Sequence, residues 1–228
     1  MIFNPVPLSP YFNKIRCKCL VYLSAVGLSF SNQTGIPFIM RITGGIHRGR
    51  PLTAPEGKNT RPTGDRARLS VFNILLHGGW HDGVLDEATV LDVFAGTGAL
   101  GLEALSQGAK HAVFIEREHP AIESCKANIA TLKEAARTAI FTFDATHPIA
   151  RPLYIEPRSL VFLDPPYGKH LGAQALAALA DKGWLKESAV CVLEMSKKAP
   201  EIVPAAFTLH DERIYGLAKI QFLSWRGG

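Results

Sequence analysis

Five near-continuous apolar runs, spaced between helical stretches and turns, govern what this chain can become. They read ATVLDVF from Ala88, HAVFIE from His111, TAIFTF from Thr138, SLVFLD from Ser159 and AVCVLEM from Ala189. Around them lie GALGLEALSQG, PAIESCKANIATLKEA and LGAQALAALADKGW, whose composition and terminal glycines or proline mark helices. Strands with little polar alternation are strands covered on both faces, as in a parallel sheet layered by helices. The expected fold is α/β, with a mostly parallel central sheet and helices on both faces. Two β-rich pieces, AFTLHDERIY and AKIQFLSW, close the chain and are expected to pair antiparallel through Gly216.

The 228 residues suffice for one sizeable domain with a small appendage, and 47% hydrophobic against 20% charged content supports a buried core. Residues 40–80 read as that appendage. Gly44, Gly45 and Gly49 tighten a short hairpin from Met40 to Leu52, and APEGKNTRPTGD is a polar connector. Asp65 is placed to cap a helix presenting Leu69, Phe72, Leu75 and Leu76, stopped by Gly78 and Gly79. Residues 81–228 form the main domain. Residues 1–39 hold KIRCKC and LVYLSAVGLSF, too short an apolar run to span a bilayer and without a clear cleavage pattern after it. They are expected to be a poorly ordered extension or to precede the true translational start. Cys17, Cys19, Cys125 and Cys191 form no metal or disulfide pattern and read as buried thiols in a reducing compartment.

The formal charge of +5 is unevenly spread. Residues 1–39 hold three bases and no acid. Residues 40–68 hold seven Lys/Arg against Glu56 and Asp65, and the remainder is net −3. A basic arm on a slightly acidic body suits a polyanionic partner, although charge shows affinity and not identity.

The bend after ATVLDVF reads AGTGALG. Gly96, Gly98 and Gly101 satisfy G-x-G-x-x-G between a strand and a helix, where backbone N–H groups can approach a ligand. Glu116 ends the next strand, the position where a carboxylate accepts ribose hydroxyls, and Asp144 ends the third, bordering an adenine ring. The glycine pattern alone fits a dinucleotide equally well, or a structural turn. Asp92 biases the choice, because it would repel a pyrophosphate but bond an amino-acid ammonium. Three acids suit S-adenosyl-L-methionine, with its ammonium, sulfonium and ribose, better than NAD.

Asp164, Pro165, Pro166 and Tyr167 leave SLVFLD at the same carboxyl edge of the sheet. A Pro-rich turn can simply end a strand. Beside the glycine bend it also has a chemical use. The lone pair of an exocyclic nucleobase amine is delocalised into the ring, so an enzyme must hold its hydrogens on acceptors. Asp164 offers a carboxylate and Pro165 a carbonyl, whose direction Pro166 constrains. Tyr167 offers a flat face to an unstacked base, worth about 1–3 kcal/mol. Methyl transfer then needs positioning and electrostatics, with no metal.

LDVFAGTGALGLEALSQGA, VFIERE and LVFLDPPYGK together resemble the Rossmann-like class I S-adenosylmethionine-dependent methyltransferases that act on amines. MRITGGIHRGRPL, RPTGDRARLSVFNIL and the late IYG resemble one branch, the RsmD-type 16S ribosomal RNA guanine-N2 methyltransferases, from Met40 to about Trp225. The resemblance implies a bacterial, cytoplasmic, monomeric enzyme with no membrane partner. Its substrate would be 16S rRNA in the small ribosomal subunit or an assembly intermediate. By position it assigns the base to Asp164, Pro165, Pro166 and Tyr167. The cofactor would fall to Asp92, Phe94, Ala95, Gly96, Thr97, Gly98 and Gly101, with Glu116, Arg117, Asp144 and Ala145. RNA contact would fall to Arg48, Arg50, Arg61, Thr63, Arg66, Arg68 and Lys169. The chain departs from the branch at Leu69, where relatives usually carry an acid, and at Tyr215-Gly216-Leu217, in place of a Tyr-Gly-Asp-Thr-like stretch.

Three other readings share part of the pattern. A DNA adenine or cytosine amino-methyltransferase has the same turn but needs a target-recognition insertion that these closely joined elements leave no room for. A nicotinamide oxidoreductase is disfavoured by Asp92 and Asp144. A non-catalytic RNA-binding module would keep the arm and have no need of Asp164.

Overall fold

A computed structural model describes residues 40–55, 62–79 and 83–227, with backbone alone at 62–65. The expectations for residues 1–39, including Cys17 and Cys19, and for Arg61 lie outside the described residues, as does the side chain of Thr63.

Among the described residues, seven strands form one sheet. They are β1 (Thr89–Val93), β2 (His111–Ile115), β3 (Thr138–Phe141), β4 (Arg158–Leu163), β5 (Leu185–Ser196), β6 (Phe207–Tyr215) and β7 (Ala218–Trp225). Their order is β3-β2-β1-β4-β5-β7-β6. The first five run parallel, and β6 and β7 form the expected antiparallel pair turning at Gly216, with β7 hydrogen-bonded to β5. The helices are α1 (Pro62–His77), α2 (Ala99–Ser106), α3 (His119–Leu132) and α4 (Leu171–Asp181).

Strand alternation divides the apolar residues into two cores. Val90, Phe114, Phe162 and Phe222 share one with Phe72 and Leu75 of α1, Leu102 and Leu105 of α2 and Ile129 of α3. Leu91, Val113, Val161 and Leu223 share the other with Leu176 and Leu179 of α4 and with Trp184. Cys125 and Cys191 are buried free thiols.

The arm joins the first core through Ile42 and Leu52. Its hairpin closes with Ile42 N–H to the Arg50 carbonyl at 3.0 Å and Leu52 N–H to the Met40 carbonyl at 2.8 Å, around a 3-10 turn at Gly45–His47. Several polar side chains fasten it, Glu103 and Asn128 among them. The Glu103 carboxylate, fully buried, accepts the N–H groups of Thr43 and Gly44 and the Thr43 hydroxyl. Asn128 exchanges bonds with both backbone groups of Thr53 and donates to the Thr97 carbonyl at 2.9 Å.

The helix of the arm differs from expectation in phase. It begins at Pro62, whose fixed φ suits a first helical turn, so Asp65 lies inside it and does not cap it. Ala67, Arg68, Val71, Phe72 and Leu75 form its buried face, while Leu69 and Leu76 are exposed.

One consequence of register positions the site. Val93 pairs with Ile115 and Leu163, and Leu163 pairs with Leu193. The next residues therefore lie at one level along the carboxyl edge: Phe94, Glu116 and Asp164 just past the ends of their strands, and Glu194 within the longer β5.

Candidate active site

Two adjoining cavities, of about 290 and 580 Å³, open at this edge. Phe94, Gly96, Asp164 and Glu194 line both, so the glycine bend and the Asp-Pro-Pro-Tyr turn share one cleft. Such volumes are those of small-ligand sites. Asp92, Ala95, Thr97 and Arg68 line the smaller cavity; Glu116, Arg117, Ala145, Pro165, Pro166 and Tyr167 line the larger.

The glycine bend has an unusual backbone. Phe94 and Gly96 have φ of +58° and +57°, a conformation costly for the phenylalanine and free for the glycine. A Cβ on Gly96 would meet only the Phe94 carbonyl oxygen, at 3.9 Å, so this position leaves open space beside the cleft. Its N–H donates to Glu116 Oε2 at 2.8 Å, and Glu116 Oε1 accepts the N–H groups of Arg117 and Glu118. Gly98 and Gly101 do not line the cleft. A Cβ on Gly98 would meet the Cys125 sulfur at 2.7 Å and one on Gly101 the Phe114 ring at 2.5 Å, so these two glycines serve close helix–sheet packing.

Asp92 is buried and accepts the Gly101 N–H at 2.8 Å, pinning the first turn of α2 to β1. Burial raises its pKa to about 8 against the opposing effect of that bond, with the Glu116 charge adding to the rise. Asp144 borders the cleft without lining it. Thr146 donates to its Oδ1 from both N–H and hydroxyl, and Arg117 Nη1 lies 2.7 Å from its Oδ2. The Thr146 bonds chiefly hold its pKa below the ordinary value, with Arg117 contributing.

Asp164 is exposed on its cleft side. Desolvation by the protein packed around its carboxyl pushes its pKa up, with the charges of Glu194 and Asp92 adding to the rise. Tyr167 is 42% exposed, and its hydroxyl donates to Glu194 Oε1. Burial raises the Glu194 pKa against that bond. Glu194 was absent from the sequence reading. Its signal was present: AVCVLEM, like SLVFLD and HAVFIE, breaks its apolar run with an acid at the carboxyl edge.

Among the expected RNA contacts, Arg48, Arg50, Arg66 and Lys169 are exposed. Arg68 is a correction. It lies on the buried face of α1, with Nη2 donating to the Arg41 carbonyl at 2.6 Å and Nε 3.4 Å from Glu103 Oε2. It is 6% exposed and lines the cleft, so it is not a surface contact for RNA.

The wall chemistry fits S-adenosyl-L-methionine. Asp92 and Glu116 present acceptors for an ammonium or hydroxyls, and Gly96 leaves room beside them. Among the described residues no cluster of His, Cys, Asp and Glu could hold a metal ion.

Comparison with known proteins agrees with this geometry. The family model described as "Conserved hypothetical protein 95" matches residues 40–224. Ribosomal RNA small subunit methyltransferase D of Haemophilus influenzae is 35% identical over 78% of this chain and 90% of its own. The protein of that name from Escherichia coli (strain K12) is 38% identical over 78% of this chain and 85% of its own. The solved structure of Escherichia coli yhhF superposes with a TM-score of 0.69 at 32% identity, covering 84% of this chain and all of that one. At 15% identity and a TM-score of 0.52, magnesium protoporphyrin IX methyltransferase of Synechocystis shares the fold alone. Matches of this length and identity make the chain a member of the RsmD-type ribosomal RNA methyltransferase family.

Proposed function

We propose that this protein transfers a methyl group from S-adenosyl-L-methionine to the exocyclic N2 amine of a guanine in 16S rRNA. On this reading it acts in the cytoplasm, as a monomer, on the small ribosomal subunit or its assembly intermediate. The observation that carries the proposal is the shared cleft. Strand register brings the glycine bend, Glu116 and the Asp164 turn to one level, and Gly96 and Asp164 line the same two cavities.

When bound, S-adenosyl-L-methionine supplies an electrophilic methyl group on a sulfonium. Glu116 and the Gly96 backbone form the wall against which its ribose would lie. Asp164 and the Pro165 carbonyl accept the amine hydrogens, which turns the nitrogen lone pair toward the methyl. Tyr167 covers the base, and its bond to Glu194 fixes where the ring stands. Methylation of N2 releases one proton, and the Asp164 carboxylate, which lines the cleft beside the Pro165 carbonyl, would accept it there. Arg48, Arg50, Arg66 and Lys169 supply exposed cations for the RNA backbone. No helix among the described residues is long and apolar enough to cross a membrane.

The test is tritiated methyl transfer to small ribosomal particles from cells lacking the modification, followed by mapping of the labelled base. Label on N2 of a single guanine is expected. Label on another atom, or none, rejects the proposal.

A further inference from the structure

Glu194 belongs to none of the motifs that first pointed to the site, yet the fold builds it into the base pocket. The Leu163–Leu193 register puts it on the strand beside Asp164, and neighbouring strands lie about 4.8 Å apart. Side chains level with one another on parallel strands point to the same face, and both carboxylates line both cavities. Glu194 Oε1 takes the Tyr167 hydroxyl, and Oε2 has no hydrogen-bond partner among the described residues. Arg68 from α1 and Asp92 from β1 line the same cavity. On β7 the neighbouring cation, Lys219, is engaged 2.8 Å from Glu212. A carboxylate beside another carboxylate, with one oxygen committed to an aromatic hydroxyl, needs donors from a ligand.

We propose that Glu194 reads the identity of the target base: Oε2 accepts the N1–H of guanine while Asp164 accepts from the neighbouring N2 amine. This rests on the guanine-N2 reading above. Guanine presents two adjacent donors along that edge, which match two adjacent carboxylates and relieve their repulsion. Adenine presents a ring acceptor between its amine and C2, which would face Glu194 oxygen to nitrogen without a proton between them. The bond to Tyr167 makes the reader and the stacking platform one unit, so a base must satisfy both.

The test compares guanine with 2-aminopurine, which keeps the N2 amine and replaces N1–H by an acceptor. Each is placed at the mapped target in reconstituted small particles, and single-turnover transfer is measured for wild type, Glu194→Gln and Tyr167→Phe. Wild type should favour guanine by roughly tenfold or more, the size of a good hydrogen-bonded base contact. Glu194→Gln, whose amide can donate to the ring acceptor, should shrink that ratio by roughly tenfold. Tyr167→Phe keeps the stacking ring but releases Glu194, so the guanine preference should shrink along with turnover. Equal loss on both bases with an unchanged ratio in Glu194→Gln means a structural role and overturns the proposal. A guanine preference in Tyr167→Phe equal to that of wild type also overturns it, and stands as the deciding result if Glu194→Gln does not fold. Wild type that modifies no guanine at all rejects the underlying function, a result distinct from a flat ratio.

Discussion

Gly96 and Glu116, twenty residues apart in sequence, are joined by a bond of 2.8 Å from the Gly96 N–H to the Glu116 carboxylate. The exits of β1 and β2 are thereby tied, and this wall of the cleft, proposed to hold the cofactor, is set before any ligand arrives. Glu116→Ala should weaken S-adenosyl-L-methionine binding by roughly ten- to a hundredfold, the worth of hydrogen bonds to a charged group. Calorimetric titration checks this; unchanged affinity would remove Glu116 from the cofactor wall.

Asp92 links the same wall to pH. In the folded protein burial holds its proton up to about pH 8, whereas an unfolded aspartate releases it above its ordinary value of 3.8. Between those values the folded state binds more protons, so stability falls as pH rises and levels off above the folded pKa. Asp92→Asn can still accept the Gly101 N–H and no longer titrates. Its melting temperature should decline less than that of wild type between pH 5 and pH 8. Parallel declines would show that Asp92 is ionised in the folded state throughout.

Glu103 holds the arm. Its buried carboxylate satisfies Thr43, Gly44 and Gln107 and lies 3.4 Å from Arg68. Glu103→Ala leaves those donors without their acceptor and removes the carboxylate beside the buried Arg68, at a cost of about 3–5 kcal/mol. Denaturant unfolding should show that loss, and amide exchange at Thr43 and Gly44 should accelerate more than exchange in β1. Uniform acceleration would mean that Glu103 supports the whole fold and not the arm.

Arg48 and Arg50 are exposed on the arm hairpin. Replacing both by Ala should weaken RNA binding and flatten the dependence of log K on log salt by about 0.7–0.9 per lost phosphate contact. An unchanged slope would remove them from the RNA surface.

The parallel sheet and its closing antiparallel pair were legible in the sequence, because buried parallel strands carry unbroken apolar runs and Gly216 marks the final turn; the order of the strands was not. What escaped the sequence depended on contacts between distant elements. Arg68 read as one more cation in a basic run, and only the phase of α1, set by its start at Pro62, turns it inward. Gly98 and Gly101 fit the spacing of a ligand loop, but Cys125 and Phe114, from other elements, give them their use. Asp164 stood out because Pro-Pro-Tyr follows it. Glu194 ends a similar apolar run without such a flag, and the register of β5 on β4 is what reveals it.

The most direct measurement on the shared cleft is methyl transfer by Asp164→Asn alongside its affinity for S-adenosyl-L-methionine. Turnover should fall by about two to three orders of magnitude, as for loss of one preorganised electrostatic contact, with cofactor affinity close to that of wild type. Turnover near wild type, or affinity lost in step with turnover, would contradict the assignment of Asp164 to the target amine.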